Sequence, residues 1–184
     1  RFLFFPFKML ITGKYRNSFV QRFGGRQGAI LAGLKEGRRV WIHAVSVGEV
    51  TAAAPIVASM KKSRPDVQVV FSTSTETGQE MAKRLVKEAD AFIYFPLDFP
   101  FVVYKTLDLV RPSVFALVET ELWPNFLAAC NRRGISSLIV NGRISPRSFG
   151  KFQKTDFFWR RILENIAEAG MISEIDASRI AGIG

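Results

Sequence analysis

From about residue 39 onward this chain alternates short apolar runs with longer amphipathic ones, and few folds accommodate that alternation. Candidate strands are 39–45, 67–73, 91–95, 113–118, 135–141 and 168–173, with helical stretches near 49–62, 76–88, 100–109, 123–133 and 155–167. The breaks carry the expected punctuation: Pro65-Asp66, Pro96, Pro100, Arg111-Pro112 and Arg133-Gly134. Parallel neighbours need a crossover, and a helix after every strand supplies it. The predicted fold class is therefore α/β, a Rossmann-like parallel sheet with helices on both faces. Val114-Phe115-Ala116-Leu117-Val118 is apolar at every position, as a strand buried on both faces requires. Residues 1–38 read as a basic, apolar segment and 39–184 as the Rossmann-like domain.

Ligands of open parallel sheets bind beyond the carboxyl ends of the strands. Two strand ends deliver acids there. Val40-Trp41-Ile42-His43-Ala44-Val45 breaks at Gly48 and brings Glu49 to a helix start, and the 113–118 strand runs into Glu119-Thr120-Glu121-Leu122-Trp123-Pro124-Asn125. Glu49 has two readings. A helix N-terminus favours a negative charge for its own sake. Alternatively Ser46 and Gly48 leave room for a ligand, and Glu119 nearby raises the Glu49 pKa toward that of a useful base. Thr73 and Thr75 offer hydroxyls at another strand end, where Ser74 or Thr75 would equally cap a helix. After the fifth strand, Asn141, Arg143, Arg147 and Ser148 suit phosphate or carboxylate recognition as well as solvation. His43, the sole histidine, reads as a hydrogen-bonded residue of the core or cleft edge rather than a base. Cys130, the sole cysteine, reads as a small core residue and excludes an intrachain disulfide.

The formal charge is +10, and it is segregated. Lys8, Lys14, Arg16, Arg22, Arg26, Lys35, Arg38 and Arg39 face only Glu36 in the first 39 residues, and 132–161 carry eight Lys and Arg against Asp156. Such blocks imply a polyanionic partner. Phe2-Leu3-Phe4-Phe5-Pro6-Phe7 with Met9-Leu10-Ile11 is too short to span a bilayer but suits an interface, so the expected anion is a membrane surface. No Gly-x-Gly-x-x-Gly follows the first strand, and Gly24-Gly25-Arg26-Gln27-Gly28 ahead of it reads as a loop. There is also no Walker loop, no Gly-x-Ser-x-Gly elbow and no paired histidines at metal-binding spacing.

His43–Glu49, Glu119–Asn125 and Asn141–Ser148, with Tyr94-Phe95-Pro96-Leu97-Asp98 between them, resemble in order and spacing the motifs of the Kdo transferases. That family moves 3-deoxy-D-manno-octulosonic acid (Kdo) onto the lipid A precursor. Lys14-Tyr15-Arg16 with Arg22-Phe23-Gly24 resembles the basic segment after the family's membrane anchor, so the match spans nearly the whole chain. The resemblance implies a GT-B enzyme of two Rossmann-like domains at the cytoplasmic face of the bacterial inner membrane. This chain would be the acceptor-binding, amino-terminal half. The CMP-binding domain would be missing, and the chain alone inactive. It implies an inverting transfer with no metal or cofactor, CMP-Kdo being the donor substrate. Glu49 would be the general base and Glu119 the transition-state stabiliser, with Ser46, Gly48, Thr73, Thr75, Glu121, Asn141, Arg143, Arg147 and Ser148 binding substrate.

Two departures stand out: Gly142 where the family has Ala, implying a looser loop, and Ile172 and Ile175 where it has Gln and Glu. A GT-B nucleotide-sugar epimerase is a rival that would not combine these three motifs. A basic nucleic-acid-binding domain is the other. It would interleave exposed aromatics with Lys and Arg, whereas most Phe residues here lie at the amino end or in core-like positions, so no nucleic acid is expected.

Overall fold

The computed structural model describes residues 20–184, so Phe2–Ile11 and Lys14–Arg16 lie outside the described residues. A short helix α1 (Gln27–Leu31) precedes strand β1 (Arg39–His43) and helix α2 (Val47–Ser63). Then follow β2 (Gln68–Thr73), α3 (Glu76–Leu85), β3 (Ala91–Tyr94), α4 (Pro100–Val110), β4 (Val114–Val118) and α5 (Pro124–Arg132). The chain goes on through β5 (Ser136–Gly142), α6 (Pro146–Gln153), α7 (Asp156–Leu163), β6 (Glu168–Met171) and α8 (Glu174–Ala181).

The strands form one sheet in the order β3-β2-β1-β4-β5-β6, and every pair is parallel. The α/β expectation holds. Sheet growth runs outward from β1 to β3 and then restarts at β4 on the other flank of β1. Consecutive strands make the two faces visible in sequence. Trp41, Phe115 and Leu117 pack into one core with Val103, Leu107, Phe126, Leu127 and Cys130, while Ile42, Ala116 and Val118 pack into the other with Val50, Ala53 and Val57. Thus α2 and α5, which follow β1 and β4, lie on opposite faces. The carboxyl ends of β1 and β4 are therefore the topological switch point of the sheet, where open parallel sheets form their ligand crevice.

Three sequence expectations need correction. The stretch 24–28 is not all loop: Gln27 and Gly28 begin α1, and Leu31 joins the core. The helix expected at 155–167 is shorter, and α6 precedes it. Ser145 caps α6 by accepting from Ser148 N at 3.1 Å, and Pro146 presets its first turn. Helix α7 stops at Leu163, where the Asn165 side chain donates to the carbonyls of Arg161 (2.9 Å) and Ile162 (3.1 Å).

Gly142 does not loosen its loop. It ends β5 at an irregularity in the β5–β6 pairing, buried, with its carbonyl accepting from Ile172 N at 2.9 Å. A Cβ there would press on the Met171 sulfur and stand 2.7 Å from Ile139 Cγ2. Met171 can swing aside, but the β-branched Ile139 cannot. Gly142→Ala is accordingly expected to destabilise the fold by about 1–3 kcal/mol, read as a lower urea midpoint. A midpoint equal to the parent's would show that the two strands part freely. Ile172 and Ile175 are both exposed next to this junction.

Candidate active site

Glu49 sits in the first turn of α2 and is 5% exposed. Its backbone N–H donates to Ser46 Oγ at 3.3 Å, and its own Oε2 accepts from Val45 N at 2.6 Å. This is close to the reciprocal arrangement of a capping box, written in sequence as Ser46-x-x-Glu49. It orients the carboxylate by one oxygen. Burial pushes its pKa above the ordinary glutamate value and Glu119 adds to the rise, while Val45 and Ser46 oppose it. Ser46 and Gly48 are exposed beside it, and a Cβ on Gly48 would meet only Ser46 Oγ, at 3.8 Å, so that face is open.

Glu119 follows β4 directly and has a left-handed backbone, φ 64°, with its N–H donating to Val140 O at 3.0 Å. Such a conformation is strained for any residue with a Cβ, and strain of this kind gathers at functional sites. Glu121 stands at the exposed rim. Low-polarity surroundings raise its pKa first and Glu49 and Glu119 add to that, with Arg22 pulling it down. The crevice therefore brings together three carboxylates from two adjacent strand ends.

The β4–α5 loop is held from both sides. Asp98, in the loop after β3, accepts from Asn125 N at 3.1 Å and Phe126 N at 2.8 Å, capping α5 in place of a local side chain, and its carbonyl accepts from Asn125 Nδ2 at 2.8 Å. Burial raises the Asp98 pKa and these bonds oppose the rise. Toward β5, Thr120 Oγ1 donates to Arg143 O. The Asn141–Ser148 segment turns at Asn141, which is also left-handed at φ 56°. It is anchored by α8, where Asp176 Oδ1 accepts from Ile144 N at 2.8 Å and Arg179 donates to Ile144 O at 2.7 Å. The Arg143 and Arg147 side chains are exposed, and Ser148 is engaged with Ser145.

The threonines are committed elsewhere. Thr73 Oγ1 donates to Gln79 Oε1 at 2.7 Å, and Thr75 caps α3 by accepting from Gly78 N at 3.0 Å. They shape the β2 end, and their hydroxyls are occupied. His43 is fully buried and stacked on Phe95 at 3.9 Å, with Nδ1 against Ser72 O at 3.1 Å. Burial lowers its pKa to about 3, so it is neutral, a core residue as expected. Cys130 is buried and its thiol pushed up to about 12. Sequence reasoning missed two residues. Arg22 was grouped with the surface cations yet is 7% exposed, and Asp98 was noted only as part of a motif.

The chain matches over residues 17–184 the family described as 3-deoxy-D-manno-octulosonic-acid transferase (kdotransferase). It belongs to the Kdo transferase family. A 3-deoxy-D-manno-octulosonic acid transferase of Haemophilus influenzae is 32% identical over 171 residues, 93% of this chain and 39% of that protein. A Chlamydia pneumoniae protein of the same name is 32% identical over 160 residues, 86% of this chain and 35% of its own. A bifunctional glycosyltransferase/methyltransferase of Fusobacterium nucleatum is 38% identical over 154 residues, 82% of this chain and 24% of its own. The chain thus spans well under half the length of these curated relatives. The matched range, residues 17–184, covers the carboxyl ends of β1, β4 and β5 together with Arg22 and Asp98.

Proposed function

We propose that this chain is the acceptor-binding half of a GT-B Kdo transferase that moves Kdo from CMP-Kdo to the lipid A precursor with inversion. The observation that carries this reading is the buried Glu49 carboxylate, oriented by Val45 N–H at the switch-point crevice beside Glu119. Glu49 takes the proton from the acceptor hydroxyl as its oxygen bonds to the anomeric carbon. The bond from that carbon to the CMP phosphate oxygen breaks, and the electron pair leaves with CMP. Positive charge develops on the sugar carbon in between, and Glu119 opposes it. Exposed Arg143 and Arg147 and the hydroxyl of Ser148 receive the acceptor's anionic groups, Asn141 and Glu121 shape the rim, and Ser46 and Gly48 form the open floor beside the base. Thr73 and Thr75 contribute through the backbone they hold. The donor nucleotide belongs to a second domain.

The site on this reading works at the cytoplasmic face of the inner membrane, with the basic amino end against anionic headgroups. Among the described residues no helix is long and apolar enough to cross a membrane. Phe71, Phe95, Phe115 and Phe126 are fully buried, whereas Phe99, Phe101, Phe157 and Phe158 are exposed, and Phe157 and Phe158 precede Arg160 and Arg161. Aromatics interleaved with arginines also suit nucleic acid, so the test includes it. The full-length protein, given CMP-Kdo and a lipid A precursor, should yield an acceptor heavier by one or more Kdo with inverted anomeric configuration by NMR. Anionic vesicles should compete out any oligonucleotide binding. Retention of configuration, or transfer that proceeds equally well without the acceptor, would overturn the reading.

A further inference from the structure

Asp176 is a buried carboxylate on α8, a helix whose other residues are exposed or half-buried. Burying such a group is costly unless its oxygens are bonded. Ser173 caps the helix, accepting from Asp176 N at 3.1 Å and donating to Oδ2 at 2.5 Å. A capping-box acid turns back to the cap residue's own N–H. Here Oδ1 instead reaches out to the loop after β5 and accepts from Ile144 N at 2.8 Å. The Ser173 and Ile144 bonds hold the carboxyl below the ordinary aspartate value, so it is ionised at neutral pH.

The same peptide group is held on its other side. A trans peptide points its C=O and N–H in opposite directions, and the carbonyl half of this one, Arg143 O, accepts from Thr120 Oγ1. Strand β5 lies between β4 and β6, so the peptide just beyond it is gripped from the β4 loop and from the helix that follows β6. Arg179 completes the hold by donating to Ile144 O at 2.7 Å. Ile144 is buried and shares one small apolar gap with Leu122, Trp159 and Ile183, so a lost bond there is not simply handed to water. Arg143 is the exposed residue between buried Gly142 and Ile144.

We propose that Asp176 and Thr120 are positioning residues of this site: holding one peptide plane between them, they fix where the Arg143 side chain leaves its loop relative to Glu119. Thr120 stands between Glu119 and Glu121 in the chain. Its bond to Arg143 O therefore ties the arginine and the two acids into one frame. An arginine has a long, flexible stem, so its root must be fixed if the fork is to meet an anion at a set distance from the acids. Asp176 supplies that fixing from the far side and touches no reacting group itself.

The inference rests on Arg143 as an acceptor contact, and its test uses the full-length enzyme with CMP-Kdo and a lipid A precursor. Asp176→Ala should raise the acceptor KM about tenfold, the scale of one weakened charge-assisted hydrogen bond, and leave the CMP-Kdo KM in place. Asp176→Asn keeps an oxygen for Ile144 N–H and should restore the acceptor KM. Hydrogen exchange at the Ile144 amide should quicken in Asp176→Ala and stay slow in Asp176→Asn. In an Arg143→Ala background, Asp176→Ala should raise the acceptor KM no further, because both act through one contact. Thr120→Val keeps the size but donates nothing to Arg143 O, so it should act as Asp176→Ala does and carries the test should that variant not fold. A folded variant of either kind that loses kcat with both KM values unmoved would overturn the proposal. So would an Asn variant as impaired as the Ala one, or additive effects with Arg143→Ala. A parental acceptor KM in Arg143→Ala alone would instead remove Arg143 from the acceptor site, the reading beneath the proposal, and the Ile144 exchange result would stand.

Discussion

Glu49→Gln in the full-length enzyme is expected to lower turnover by about 10²–10⁴-fold while acceptor KM changes little. The amide keeps the size of the side chain and can still accept from Val45 N–H, so the crevice keeps its shape. It cannot take a proton. Because burial and Glu119 hold the Glu49 pKa above the ordinary value, the parent's acid limb should lie above the usual glutamate range, and the variant should lack it. Stability should move the other way. A carboxyl whose pKa is raised on folding contributes stability that is full below its unfolded pKa and is lost as pH rises through the folded one. At neutral pH the ionised Glu49 is therefore unfavourable for folding, and Glu49→Gln should unfold at an equal or higher urea concentration than the parent. The gap should widen from the ordinary glutamate range up to the folded pKa and stay level above it. A helix-end charge alone would give the reverse pattern, with stability lowered and turnover intact.

What was legible in the sequence was whatever local pattern controls. Periodicity and Pro/Gly punctuation located every strand, since a buried strand such as Val114–Val118 has no polar position to blur it. The acids at both strand ends followed from position alone. The strand order did not, because it is set by which strands share a core, yet that order puts Glu49 and Glu119 at one crevice. Arg22 and Asp98 were invisible for a related reason. Their partners are Phe95, 73 residues away, and Phe126, 28 residues away, and no local signal distinguishes a buried arginine from a solvated one. Gly142 was misread because its missing Cβ answers to Met171 and Ile139 rather than to the loop after it. Of the threonines, Thr75 caps a helix, one of the two readings its sequence allowed, while Thr73 donates to the Gln79 side chain six residues on.

Glu119 allows strain and chemistry to be separated at one position. A residue with a Cβ at φ 64° carries a conformational cost of about 1 kcal/mol that glycine does not. Glycine also loosens the unfolded chain, which offsets part of that relief. Glu119→Gly should therefore match the parent in urea unfolding or exceed it, by no more than about 1 kcal/mol. Glu121→Gly, at a position without positive φ, should lose stability instead. Turnover should respond to the carboxylate alone, falling by about 10²–10³-fold in both Glu119→Gly and Glu119→Gln, because each removes the negative charge that opposes the developing positive charge. Glu119→Val should lose both properties, since a β-branched side chain tolerates the left-handed region least. A Glu119→Gly enzyme as active as its parent would make this residue a turn and nothing more. A Glu119→Gly enzyme that is both inactive and clearly less stable would mean that the loop, rather than the charge, had been lost.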